Sequence, residues 1–124
     1  MNLLQLLLIS LGGAIGAVLR FSMGNLLKIY FVNNFYATVS INIIGSFLIG
    51  YLVSLGYAKN LSENFVKYFL VIGLLGSFTT FSTFSYEVID LFLSKKIFHS
   101  IIYIFSSVFF CIIAAYIGMF INKV

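Results

Sequence analysis

Charge is scarce in this 124-residue chain: Asp, Glu, Lys and Arg together make up 8% of it, against about a quarter in an ordinary soluble domain. There is no Pro and no Trp, one Cys (Cys111) and one His (His99). A single Cys excludes an intrachain disulfide framework and a Cys-rich metal site. The three acids, Glu63, Glu87 and Asp90, form no metal-ligand motif, and His99 and Cys111 fall in apolar surroundings without a partner at a useful spacing. No catalytic arrangement emerges, so an enzyme is not expected. The net charge of +4 comes from scattered Lys and Arg, not from a basic patch, which argues against nucleic acid. The start, Met1-Asn2-Leu3-Leu4-Gln5, has no basic n-region of a cleaved signal peptide. The first hydrophobic segment is therefore expected to be retained as a span.

What is abundant is apolar: 62% of residues, with a mean hydropathy of +1.15. A helix needs about 20 mostly apolar residues to cross a bilayer. Four segments meet that: about Leu3 to Leu27, Phe35 to Tyr57, Phe65 to Leu93 and Phe98 to Ile121. The connectors between them are short and polar, so residues 1–124 are read as one four-helix, all-α transmembrane domain. Such a bundle is thin and has little interior of its own, which makes self-association the default expectation.

Polar residues inside these segments carry the information. In the first, Gly12 and Gly16 form a small-xxx-small spacing that lets two helices approach closely, and Arg20 follows on the same face. An Arg at the bilayer centre costs about 2.5–3.5 kcal/mol by insertion scales. Arg20 therefore either pairs or lines water, or snorkels to the interface. In the second segment Thr38, Asn42, Ser46 and Gly50 recur every four residues, a polar stripe suited to interhelical hydrogen bonds or to a passing solute. In the fourth, Tyr103, Ser107 and Cys111 share a face. Glu87 and Asp90 lie towards the end of the third segment, where an interfacial position is expected.

The third segment is the densest. From Ser77 to Ser85 every residue is Phe, Ser or Thr, with six hydroxyls and three rings in nine positions. Lipid satisfies no hydroxyl, so these must bond within the protein or face a polar path. Phe78, Phe81 and Phe84 recur every three residues, which would stack them along one slowly turning side of a continuous helix. Gly73 and Gly76 precede them, where backbone opens or approaches closely. A small anion shedding water fits this set. Hydroxyls and the Asn42 amide donate, ring edges are positive, and Arg20 attracts at long range. A cation path would call for acidic rings or carbonyl filters, and the middles of the four segments hold no acid.

Charge placement leaves orientation undecided. Lys59, Lys67 and Lys123 fall on one side of the membrane, and Lys28, Lys95 and Lys96, with Arg20 if it reaches that interface, on the other. The positive-inside rule has almost nothing to act on, which permits insertion in both orientations. A proton-coupled small multidrug transporter would share that property but needs a carboxylate in the first segment, where none stands before Asn34. A purely structural subunit would leave the hydroxyl-rich stretch without a use.

Three runs carry a resemblance: Gly12-Gly13-x-x-Gly16-Ala17-x-x-Arg20-Phe21; Thr38-x-x-x-Asn42-x-x-Gly45-Ser46-Phe47-x-x-Gly50; and Gly73-x-x-Gly76-x-x-Thr79-Thr80-Phe81-Ser82-Thr83-Phe84-Ser85-x-Glu87. Together, in this order and spacing, they resemble the fluoride channel family called Fluc or CrcB. Two departures are visible: Ser77 and Phe78 stand where the family usually has Gly and a smaller aliphatic, and Cys111 where a hydroxyl is common. The resemblance implies an antiparallel dual-topology homodimer in the inner (plasma) membrane, with the third helix broken near its middle. It also implies passive, fluoride-selective export that confers fluoride resistance. On it, Phe81 and Phe84 match pore-lining rings, Asn42 the polar residue beside them, and Ser82, Thr83 and Ser107 the ion track. A structural Na⁺ at the dimer centre would be held by the backbone carbonyls of Gly76 and Thr79.

Overall fold

A computed structural model describes residues 2–31 and 34–123. Four helical segments, each long and apolar enough to cross a membrane, run Leu3–Tyr30, Asn34–Ala58, Phe65–Leu93 and Ile97–Phe120. The described residues contain no strand. The protein is an all-helical, multi-pass membrane protein, and the four segments sit within a few residues of their expected bounds.

Helix α1 (Leu3–Tyr30) starts with a reciprocal cap. The Asn2 side chain accepts from the Gln5 amide at 2.9 Å, and the Gln5 side chain accepts from the Asn2 amide at 3.0 Å. Two of the amides left unpaired at a helix start are thereby satisfied. Helix α2 (Asn34–Ala58) follows. A short connector with Asn60 in the left-handed region (φ 48°) turns the chain back.

The third crossing is not one helix. It begins as a π-helix over Phe65–Leu75, passes through a single α-turn, α3 (Gly76–Phe78), and then leaves helical geometry. Thr79 (φ −77°, ψ 157°) and Thr80 (φ −146°, ψ 111°) are extended before α4 (Phe81–Leu93) resumes. The break thus falls at mid-segment, as expected, but two Thr residues form it while Gly73 and Gly76 stay helical. It also cancels the continuous Phe stack, because Phe78 and Phe81 now lie on opposite sides of the break. Lys95, at φ 59°, closes the α4 end and leads into α5 (Ile97–Phe120). A short 3₁₀ turn, Ile121–Lys123, ends the described chain.

Two close helix pairs build the body. Helix α1 packs on the π-helix, and α2 packs on α5, the most extensive contact of the molecule. Gly16 is needed for the first, because a Cβ built there would overlap the Leu74 carbonyl. The small-xxx-small reading of Gly12 and Gly16 therefore holds, with the π-helix as partner. Gly50 is needed for the second, since a Cβ there would overlap the Ala115 carbonyl. A core of Phe84, Leu91 and Tyr103, supported by Phe35, Val39, Val88 and Ile104, joins α4 to α2 and α5. Leu7, Leu11 and Val18 of α1 and Phe105, Phe109 and Ile112 of α5 are exposed apolar residues, as a surface solvated by lipid requires.

Candidate functional site

The break at Thr79 and Thr80 is held by a side chain of α2. Asn42 Nδ2 donates to the Thr80 carbonyl at 3.0 Å, and Asn42 Oδ1 accepts from the Thr80 amide at 2.8 Å. The amide group mimics a paired backbone, which is how a non-helical residue is tolerated inside a membrane-spanning segment. The Thr80 hydroxyl then caps α4. It accepts from the Thr83 amide at 3.2 Å and donates to the Thr83 hydroxyl at 3.0 Å, with Ser82 Oγ at 3.3 Å. Asn42 is thus first a clamp on the break; one of its two amide protons is committed there.

Two carbonyls are displaced from their helical partners by this arrangement. In a regular helix the Thr80 amide would donate to the Gly76 carbonyl and the Thr83 amide to the Thr79 carbonyl. Those amides donate instead to Asn42 Oδ1 and to Thr80 Oγ1. Gly76 itself is exposed.

Two cavities meet at Thr80, which lines both. The inner one, about 370 Å³, is lined by Asn42, Ser46, Thr79, Thr80, Ser107 and Cys111 together with Phe81, Phe84 and apolar neighbours; among the described residues no charged one lines it. Its two rings stand 5.5 Å apart at 44°. Phe81 is 77% exposed, whereas Phe84 is 8% exposed and packs against Tyr103 at 5.2 Å. Ser107 Oγ is buried without a hydrogen-bond partner. The outer cavity, about 570 Å³, contains Arg20, Lys28, Asn25, Asn34, Thr83, Glu87 and Asp90. Arg20 is half-buried there, one wall of a polar hollow.

The structure therefore gathers Phe81, Phe84, Asn42 and Ser107 at one cavity with Gly76 and Thr79, and places Thr83 and Arg20 at the other. Ser82 is exposed and lines neither, touching the site through Thr80.

With this geometry in place the comparisons are specific. A family model described as CrcB-like protein, Camphor Resistance (CrcB), matches residues 7–119. The chain belongs to the CrcB family. Among relatives, it is similar to the fluoride-specific ion channel FluC 1 of Methanosarcina acetivorans, 43% identical over 113 residues, covering 91% of this chain and 86% of the relative. It is similar also to FluC 2 of Clostridium acetobutylicum, 41% identical over 117 residues, covering 94% and 96%. The fluoride-specific channel FluC of Campylobacter jejuni is 42% identical over 119 residues, covering 95% and 97%.

In this CrcB chain the side chain of Glu87 is enclosed by its neighbours. It is 6% exposed and lies six residues before the end of α4, about 9 Å into the helix. Both its oxygens accept short bonds, from the Thr38 hydroxyl at 2.7 Å and the Tyr103 hydroxyl at 2.6 Å. Those donors offset the cost of burying a carboxyl group. The signal for this burial was Thr38 and Tyr103, each on the polar face of its own segment. Thr80 was the second residue missed. Its sequence neighbours look equivalent, and only the break singles it out.

Proposed function

We propose that this protein is a passive, fluoride-selective channel working as an antiparallel homodimer, and that it protects the cell by releasing fluoride across the plasma membrane. It is a channel and not an enzyme, as the family and the named function of the relatives support. The observation that carries the reading is the inner cavity: neutral donors and two aromatic rings around an uncharged space, next to a hollow that holds Arg20.

The chemistry follows from these residues. In the outer cavity Arg20 and Lys28 stand with Glu87 and Asp90, so the formal charges balance and attraction of an anion is local to the two cationic side chains. At the break, water must be replaced by donors of equal directionality. Ser107 has a hydroxyl with no internal partner, and Asn42, which lines the same cavity, keeps one uncommitted amide proton. The positive edges of Phe81 and Phe84 complete the cage. A small, strongly hydrated anion gains most from such close donors.

The dimer is supported by what a single copy leaves open. Gly76, Phe81 and the non-helical break border the surface at mid-membrane, where lipid offers no hydrogen bond. A second copy is the natural cover. For the structural Na⁺, the Gly76 and Thr79 carbonyls fit a hard cation, because their helical donors are diverted to Asn42 and Thr80. When bound, the ion would hold the two breaks together. Ser82, matched to the ion track, would act through the Thr80 hydroxyl.

Efflux from liposomes reconstituted with purified protein tests this. Fluoride should leave without a proton gradient while chloride is retained at least a hundredfold better. Equal chloride and fluoride efflux, or none of either from folded protein, would overturn the reading.

A further inference from the structure

A third hollow, about 550 Å³, lies away from the break, where the end of α2 and the connector after it meet the start of the third crossing. Its size is ordinary for a small-molecule site, about 300–1,000 Å³. Val53 of α2 and Val66 and Val71 of the π-helix line it with apolar surface, and Asn60, Glu63 and Lys67 with polar surface. The course of the chain orders these residues by depth. One span ends at Ala58 and the next begins at Phe65, so this end of the bundle meets the bilayer surface. Val53 and Val71 reach furthest in, Lys67 stands above Val71, and Glu63 lies about a turn nearer the water, level with the connector. Lys67 Nζ stands 5.4 Å from the Tyr68 ring centroid, a cation–π contact with a residue type that anchors at the membrane interface. From the hydrocarbon outwards the hollow is therefore apolar, then positive, then negative.

We propose that this hollow is a phospholipid site selective for phosphatidylethanolamine. That lipid has the complementary order along the same axis: acyl chains, then an anionic phosphate, then a primary ammonium. The chains lie against Val53, Val66 and Val71, Lys67 Nζ donates to the phosphate, and the Glu63 carboxylate accepts from the ammonium. The Asn60 side-chain oxygen is a second acceptor at that level. Two other headgroups match less well. The quaternary ammonium of phosphatidylcholine has no N–H to donate. Phosphatidylglycerol brings no cation at all, and its net negative charge leaves Glu63 unmatched beside the phosphate. The proposal stands on this hollow alone and is independent of the fluoride reading.

The experiment uses the full chain in detergent, mixed with equal amounts of the three lipids carrying identical acyl chains. Native mass spectrometry reads which lipid stays bound. Phosphatidylethanolamine should be retained about fivefold over each of the others. The deciding variant exchanges the charges, Glu63→Lys with Lys67→Glu, which keeps net charge and Lys count but reverses the order along the membrane normal. Its preference should fall below about twofold. Glu63→Gln, a milder change, should lose the preference over phosphatidylglycerol while still binding lipid, and it keeps the test open if the exchanged protein does not fold. Equal retention of all three lipids by the unaltered chain would overturn the site. So would a preference for phosphatidylglycerol, which would leave Lys67 acting alone, or an undiminished phosphatidylethanolamine preference in a folded charge-exchanged variant.

Discussion

Phe81 and Phe84 are three residues apart, yet one is 77% exposed and the other 8%, so the same substitution asks different questions of each. Phe81→Ile gives up its ring contact with Phe84 and should lose about 0.5–1.5 kcal/mol at most. Phe84→Ile loses its ring contacts with both Phe81 and Tyr103, each worth about 0.5–1.5 kcal/mol. If ring edges meet fluoride, both should lower liposome efflux at least tenfold while remaining dimeric; normal efflux from both would remove the rings from the mechanism. Phe78 is a different case. The resemblance leaves it outside the pore, and at 4% exposure it belongs to the packed interior, so Phe78→Ile reports on folding. Glu87→Gln keeps one oxygen where two now accept from Thr38 and Tyr103. A donor then faces one of those hydroxyls, a loss of about 1–3 kcal/mol. Thermal unfolding in detergent should show it, and an unchanged midpoint would mean that the two hydroxyls reorient freely.

At the scale of elements, the break is the part with identifiable supports. Thr80→Ala removes the α4 cap, a change typically near 1 kcal/mol and within about 0.5–2. Asn42→Ala leaves the Thr80 amide and carbonyl unpaired and should cost more, about 1–3 kcal/mol. Because both changes loosen one residue, the double variant should lose less than the sum of the two; strict additivity in unfolding measurements would show that clamp and cap act independently. Asn42→Asp retains the acceptor for the Thr80 amide but removes the donor and adds negative charge beside the cavity. Its efflux should fall further than its stability. The upstream π-helix, Phe65–Leu75, is unusually long for a geometry seen mostly as single turns. Its close seat on Gly12 and Gly16 is observed, and no residue pattern in it accounts for the wider winding.

For the whole molecule the decisive residue is Gly76. A Cβ there would meet only the Val71 carbonyl, at 3.4 Å, an ordinary contact within one chain. Gly76→Leu should therefore leave the helical content of the monomer intact while lowering the crosslinked dimer fraction and efflux several-fold. Wild-type dimer yield from Gly76→Leu would mean that the second copy does not cover this face. Orientation gives a separate test, since Lys59, Lys67 and Lys123 are balanced by Lys28, Lys95 and Lys96. A C-terminal tag should be labelled from both sides of sealed vesicles. Extra Lys between Ala58 and Asn64 should bias insertion and reduce efflux by removing one of the two partners.

Four crossings, their bounds and the hydroxyl-rich third segment were legible in the residues, because membrane burial is a one-dimensional demand: about 20 apolar residues in a row meet it or fail it. The face-sharing of Tyr103, Ser107 and Cys111, and the close-approach role of Gly12 and Gly16, were legible for the same reason, since helical periodicity is local. What required the tertiary structure was the identity of partners. Thr79 and Thr80, not the glycines, leave the helix because Asn42, 38 residues earlier, satisfies the backbone they expose. Glu87 is buried because Thr38 and Tyr103, 49 and 16 residues away, reach it from two other helices. A hydrogen bond between distant helices depends on how their axes pack, and packing is set by all the contacts at once. No window of sequence contains it.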